Sequence, residues 1–384
     1  MPASPAAAPV AAPPHLALLQ PVIDEVVAPQ AAEVDRAGRY PRAGLDALGQ
    51  AGLLGLISST EVGGMGQGHR AATLAVEELA RHCGSTAMVV MMHYAATAVI
   101  EAFGPDDVRR EIAAGRYVTT LAFSEAGSRS QFWVPLGTAT GADGHVRLDA
   151  RKSWVTSAGQ ADGYVWASRP VAAEGLSTLW LVPGDVPGLG VGAPFDGLGL
   201  RGNASSPMTA DGAVVPATAM LGPDGGGFDT MIGVVLPYFQ LMSAGFSVGT
   251  MEASTAKAAG HVGATELEHL GQALAELATV RAYVARMRIR TDMASALLRD
   301  GLAALEEGRD DAMLRVLEVK AAAGEAATEV TDLAMRVCGG AAFRREVGVE
   351  RHFRDARAAT VMAPTTDALY DFIGRAACGL PLFA

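Results

Sequence analysis

Apolar positions along the chain change their period twice. From Leu16 to about Thr119 they recur at helical spacing, and the turn signals GRYP (Gly38–Pro41) and EVGGMGQG (Glu61–Gly68) break the run. From about Thr120 to Gly226 the runs are short, alternating or β-branched, as in VTTLAF, HVRLDA, GYVWAS and TLWLVP, with Gly, Pro and Asp-Gly turns between them. After GPDGGGF (Gly222–Phe228) helical spacing returns: Leu297, Leu298, Leu302 and Leu305 share one helix face, and Met313, Leu314 and Leu317 another. The pattern predicts a mainly α protein with a central β domain. Its expected parts are a tail over 1–15, an α-helical domain over 16–119, a β domain over 120–226 and an α-helical bundle over 227–384. Helices, then strands, then helices leave no room for a doubly wound nucleotide fold.

Composition sharpens this picture. The start, MPASPAAAPVAAPPH, carries five prolines and neither the basic nor the unbroken apolar region of a signal peptide, so a disordered tail is expected there. Two charge-free runs, His82–Ile100 and Thr230–Met251, have polar residues and glycines among their apolar ones and are expected as buried helices rather than membrane spans. Hydrophobic residues make up 50% of the 384 and charged residues 18%, which points to wide buried faces and a homo-oligomer. A formal charge of -11 without a dense basic cluster argues against nucleic acid. Three cysteines without a CxxC pair argue against a zinc site and for a reducing, cytoplasmic setting. The glycines at 222–227 form neither GxGxxG nor a Lys-Ser/Thr cradle and are expected as a linker.

Several segments, in order, carry a resemblance. The helical part reads APQAAEVDRAGRYPRAGLDALGQAGLLGL, EVGGMGQG and EELARHCGSTAMVVMMH; the β part reads LAFSEAGSRS, RKSWVTSAGQADGY, LGLRGNASS and VVPATAMLGPDGGGF; the last part contains VCGGAAFRREVGVERHFRDAR. In these the chain resembles the acyl-CoA dehydrogenases over nearly its whole length, from about Leu16 to Phe383. The resemblance implies an N-terminal α domain, a β domain and a C-terminal four-helix bundle, in a tetramer or dimer with FAD between domains and across a subunit interface. A flavin ring needs an aromatic wall with short hydroxyl or backbone donors, and Trp154, Thr156 and Ser157 offer that set. By the resemblance Trp154 and Thr156 lie along the isoalloxazine, Phe123 and Ser124 meet its pyrimidine side, and Ser130 lies near the pyrophosphate. Gly339 and Gly340 match the pair that holds the adenine half from a neighbouring subunit. Arg336 adds a phosphate contact, and Thr365 and Asp367 reach the dinucleotide. The family's RxxFG segment has no counterpart in GHVGATELEHL, which implies weaker cofactor retention.

The resemblance implies an acyl thioester substrate, on CoA or a carrier protein, and an electron-transfer flavoprotein as partner if the chain is a dehydrogenase. At the position of the family's catalytic Glu stands Ala363. The alternative seat, on the first helix of the bundle, falls at Phe239 and Gln240, expected as substrate-binding, and no carboxylate stands between Asp229 and Glu252. Ala363 keeps a backbone N–H, since the proline is Pro364, and by the resemblance this N–H clamps the thioester oxygen. Four readings stay open: a relocated base at His93, Tyr238 or Asp367; a substrate that brings its electron pair by losing sulfinate or carboxylate; oxygen activation as in fold-related flavin monooxygenases, fed by a reductase; or a flavin-binding protein without turnover. Arg129, where the family has Gly, is a candidate anion contact walled by Phe132 and Trp133.

Overall fold

The computed structural model describes residues 13–128 and 131–382. Helix α1 (Pro14–Val22) starts with Pro14 inside its first turn, where a missing N–H costs nothing. His15, assigned above to the tail, is therefore helical and buried, while residues 1–12 lie outside the described part. A π turn leads from α1 into α2 (Ala28–Ala37), which Gly38 ends in the left-handed conformation. Helices α3 (Arg42–Gln50), α4 (His69–His82), α5 (Gly84–Phe103) and α6 (Asp106–Ala113) follow. The last helix ends at Ala113, and the first strand already begins at Thr119. Both long apolar runs, Gly84–Phe103 and Gly227–Ala264, suit a bilayer in length, and 78% of each apolar window is buried inside the protein.

The β part comprises β1 (Thr119–Ala122), β2 (Thr138–Ala142), β3 (His145–Val155), β4 (Gly163–Ser168), β5 (Thr178–Pro183), β6 (Leu189–Val191), β7 (Ser206–Pro216) and β8 (Met220–Leu221). They form two four-stranded sheets, in the orders β1-β4-β5-β8 and β2-β3-β7-β6. All pairings are antiparallel except β1 with β4. Tyr164, Trp166 and Trp180 of the first sheet pack with Leu148, Met208 and Ala213 of the second. The other face of the first sheet, with Val165, Ala167 and Leu179, joins the core of the helical domain. Burial on both faces explains why GYVWAS and TLWLVP read as continuous apolar runs, while β3 alternates.

A short α7 (Gly227–Thr230) and a π turn run into the 29-residue α8 (Leu236–Ala264). A small hairpin of β9 (Glu266–Leu267) and β10 (Gln272–Ala273) precedes α9 (Ala278–Glu306) and α10 (Ala312–Cys338). Helices α11 (Val349–Ala356), α12 (Ala358–Val361) and α13 (Thr366–Ala377) close the chain. Helices α8, α9 and α10 pack through Leu241, Val248, Leu298, Leu302 and Val319, with α13 against α10. One ion pair joins all three parts of the chain: Arg354 of α11 forks onto Asp35 of α2 at 2.8 and 2.6 Å and also donates to Leu198 O. Beside it the buried Asp355 accepts from Leu200 N at 2.6 Å, and burial pushes its carboxyl up to about 6.

Helix α8 touches α4 backbone to backbone. A Cβ on Gly249 falls 2.1 Å from Glu77 O, and one on Gly245 falls 2.9 Å from Thr73 O. Gly249→Ala is therefore expected to push the two helices apart and cost about 1–3 kcal/mol, read as a lower urea midpoint with unchanged helical circular dichroism.

Candidate functional site

Where the three parts meet lies a cavity of about 920 Å³. The β domain supplies one wall, with Phe123, Ser124, Trp154 and Thr156; Met88 and Met92 of α5 and Phe239 of α8 stand among its other lining residues, and Met362, Ala363 and Thr365 form the floor. The wall owes its shape to a break in β3. Pairing with β7 slips between Lys152 and Val155, and Trp154 takes a left-handed backbone at φ 57°. Its ring leaves the strand's alternation, stands 63% exposed and stacks on Phe195 at 4.0 Å. Left-handed backbone at a non-glycine residue costs about 1–3 kcal/mol and persists where surrounding contacts over-determine it. The hydroxyls of Ser124 and Thr156 make no hydrogen bond to any described residue.

Two residues before Trp154, Lys152 points inward and is buried. Its ammonium donates to Glu125 Oε1 (2.6 Å), Ala167 O (2.6 Å) and Phe123 O (3.3 Å). Glu125 in turn accepts from Leu136 N and Gly137 N. Burial pulls Lys152 down to about 8, and Glu125 opposes the shift. Neither residue was singled out from the sequence. The signal was present: in HVRLDARKSWV the inward register runs Val146, Leu148, Ala150, Lys152, and a cation in that register has to be paired.

Titratable groups at the cavity are already engaged. Tyr40 donates to Ser157 Oγ at 2.9 Å, and burial pushes its hydroxyl up to about 12. Arg201 donates to Asp196 and to Asp35 O, and Glu125 is held as described. Among the described lining residues no carboxylate or imidazole is left over. His93, expected as an acid or base, is instead a core histidine: Nε2–H donates to Leu54 O at 2.9 Å while Nδ1 accepts from Thr119 N at 3.2 Å. Burial lowers it to about 4. Tyr238 stacks on His69 at 3.8 Å, away from the cavity, because one step along α8 from Phe239 turns a side chain by about 100°. Gln240, the next step, is fully buried and also off the lining, with neither amide atom partnered. Ser157 sits behind the wall on Tyr40, and Asp367 is exposed on α13.

Arg336, Gly339 and Gly340 lie at the exposed end of α10, outside this chain's own cavity; Arg336 donates to Tyr283 Oη at 3.1 Å, and open space surrounds both glycines. Phe132 reaches the cavity and meets Trp133 edge-on at 5.1 Å. Arg129 and Ser130 lie outside the described residues. No group of three or more metal-ligating side chains occurs among the described residues.

Residues 17–115 match the acyl-CoA dehydrogenase N-terminal domain and residues 225–378 the acyl-CoA dehydrogenase C-terminal domain. The mitochondrial short-chain specific acyl-CoA dehydrogenase of Bos taurus is 29% identical over 351 residues, which cover 88% of this chain and 83% of that one. The cyclohex-1-ene-1-carbonyl-CoA dehydrogenase of Geobacter metallireducens is 27% identical over 369 residues, covering 94% and 96%. Among solved structures, butyryl-CoA dehydrogenase from Megasphaera elsdenii superposes with a TM-score of 0.88 at 23% identity, covering 94% of this chain and 97% of that one.

Lys152→Met strands the Glu125 carboxylate and is expected to cost about 3–5 kcal/mol, with much of the loss recovered in the double variant Lys152→Met/Glu125→Gln; denaturant melts of the three proteins check this. For His93 the sign follows from a native pKa below the unfolded 6.5. As pH falls from 6.5 towards about 4 the unfolded chain takes a proton that the native chain refuses, so stability drops by up to about 1.4 kcal/mol per pH unit for this histidine. His93→Gln, whose amide can make the same two bonds, is expected to flatten the pH dependence of the urea midpoint below pH 6.5 and to leave turnover at pH 8 unchanged.

Proposed function

Because the chain belongs to the acyl-CoA dehydrogenase family of flavoprotein oxidoreductases, we propose that it is an FAD-dependent enzyme that acts on an acyl thioester, CoA-linked or carrier-linked, at Cα and Cβ. One observation carries the reading: the outward Trp154 ring and the Ser124 and Thr156 hydroxyls, which no other described residue engages, share one wall of a cavity that also presents an apolar face and the Ala363 backbone. Members of the family use FAD, and this wall fits its ring, a flat conjugated body with polar edges. FAD supplies a two-electron acceptor there. Trp154 and Thr156 would hold the ring, Phe123 and Ser124 its pyrimidine edge, and Ser130, Thr365 and Asp367 the dinucleotide. The exposed Arg336, Gly339 and Gly340 suit the adenine half bound by a second copy of the chain, in a homo-oligomer. Phe239, Met92 and Met362 offer apolar surface to an acyl chain and exclude water from it. Electrons then pass to an electron-transfer flavoprotein.

A second reading is favoured by the missing base. Ala363 and Phe239 both face the cavity, and the candidates for a relocated base, His93, Tyr238 and Asp367, do not line it. An electron pair at Cα then comes from the substrate itself: the bond from Cα to a carboxylate or sulfinate breaks, CO2 or SO2 departs, the bond's electrons stay on the thioester as an enolate, and water protonates Cα.

Three measurements test these readings. The purified protein is expected to release FAD on acid treatment; FMN, or no flavin after reconstitution, contradicts the assignment. Under anaerobic conditions, rapid bleaching by butyryl-, octanoyl- or isobutyryl-CoA supports dehydrogenation without a resident carboxylate. Ala363→Glu is expected to lower native turnover by about ten-fold or more, since it places a second negative charge where the enolate's own charge develops. A gain in bleaching instead identifies a dehydrogenase short only of its base.

A further inference from the structure

Behind the cavity floor lies a second buried ammonium. Lys320 projects from the buried face of α10, which also carries Leu317, Ala323, Gly324 and Ala327, and it is almost wholly enclosed. Its Nζ donates to Ala359 O (3.1 Å), Met362 O (3.0 Å) and Pro364 O (2.7 Å). No carboxylate opposes it among the described residues. Met362 and Pro364 flank Ala363, whose own N–H donates to no described group and which lines the cavity. The Met362 oxygen belongs to the same trans peptide as that N–H, so drawing it onto the cation points the N–H the opposite way, and no anion among the described residues cancels the charge behind it.

Resting on the thioester reading above, we propose that Lys320 is the positioning residue of the floor: by gripping the carbonyls on either side of Ala363 it presents the Ala363 N–H to the substrate and makes the floor electropositive where a thioester oxygen gains negative charge. Burial pulls the Lys320 ammonium down to about 7. The three acceptors work against that shift, because a neutral amine has only two hydrogens and would turn its lone pair on one of the oxygens. In a site without a carboxylate base, a cation one peptide layer behind the oxyanion position adds enolate stabilisation to that of the Ala363 N–H.

The test uses the FAD-loaded enzyme and acetoacetyl-CoA, whose enolate absorbs in the near ultraviolet and whose α-proton is released to solvent on ionisation, so no turnover is needed. Bound to the unmodified enzyme, the probe is expected to ionise at least about one pH unit below the free compound in the same buffer. In Lys320→Met the ionisation is expected to return by about one unit, while affinity for a butyl-CoA thioether, which lacks the carbonyl, changes less than about two-fold. Should Lys320→Met fail to fold, Lys320→Gln, which keeps two donors but no charge, is read in the same way. Unshifted ionisation in the unmodified enzyme, or the same shift with and without the ammonium, overturns the proposal and leaves the thioester reading standing. Failure of both acetoacetyl-CoA and acetoacetyl-pantetheine, which stands in for a carrier-linked substrate, to bind overturns both.

Discussion

Lys152 occupies a position where an alternating strand calls for an apolar side chain, and the geometry of the cavity wall depends on that exchange. Enclosing an ammonium costs several kcal/mol unless its hydrogens and charge are matched. The match here draws in Phe123 O from the end of β1, Ala167 O from β4 and the Glu125 carboxylate, which then collects two N–H groups from the loop at 136–137. One cation thereby fixes β3 of one sheet against β1 and β4 of the other at the point where Ser124 and Trp154 emerge. The left-handed backbone at Trp154 and Ser157 is tolerable because it sits on this cross-brace.

The floor repeats the device with a different balance. Lys152 has an anion beside it and serves as a brace, whereas Lys320 has only carbonyl oxygens and so keeps a net field on the side that faces the cavity. Between wall and floor, the Arg354 fork on Asp35 and the Asp355 bond to Leu200 N draw the helical domain, the β domain and the bundle together. One apolar core runs from the helical domain through Val165 and Leu179 of the first sheet to Phe246 and Leu317 of the bundle, and these charged groups fasten the three parts where the cavity interrupts that core.

Much of this was legible in the chain. The change of period announced the strands between two helical parts, and the SWVTS and LAFSE segments pointed to the wall. Side-chain direction was less legible. His93 lies in an apolar helix, but its partners, Leu54 O and Thr119 N, come from 39 and 26 residues away, and no local pattern announces them. Phe239 reaches the cavity while Tyr238 and Gln240 do not, a difference of one helical step each way that depends on where the π turn before α8 sets the helix phase. Lys320 had a signal that composition hides: Leu317, Ala323, Gly324 and Ala327 share its helix face, and a lysine there is either paired or functional.

The position of Trp154 also has an optical consequence. Of the four tryptophans, Trp166 and Trp180 are sealed between the two sheets and Trp133 is half-buried, whereas the Trp154 indole faces outward on the cavity wall. A planar chromophore docked on that wall lies against this indole and drains its excitation, while the two sealed indoles go on emitting as long as the sandwich is intact. Within one small domain, occupancy and folding are therefore reported by different chromophores, and steady emission from the pair in the core combined with loss at the wall is the signature of a filled site in an unperturbed protein.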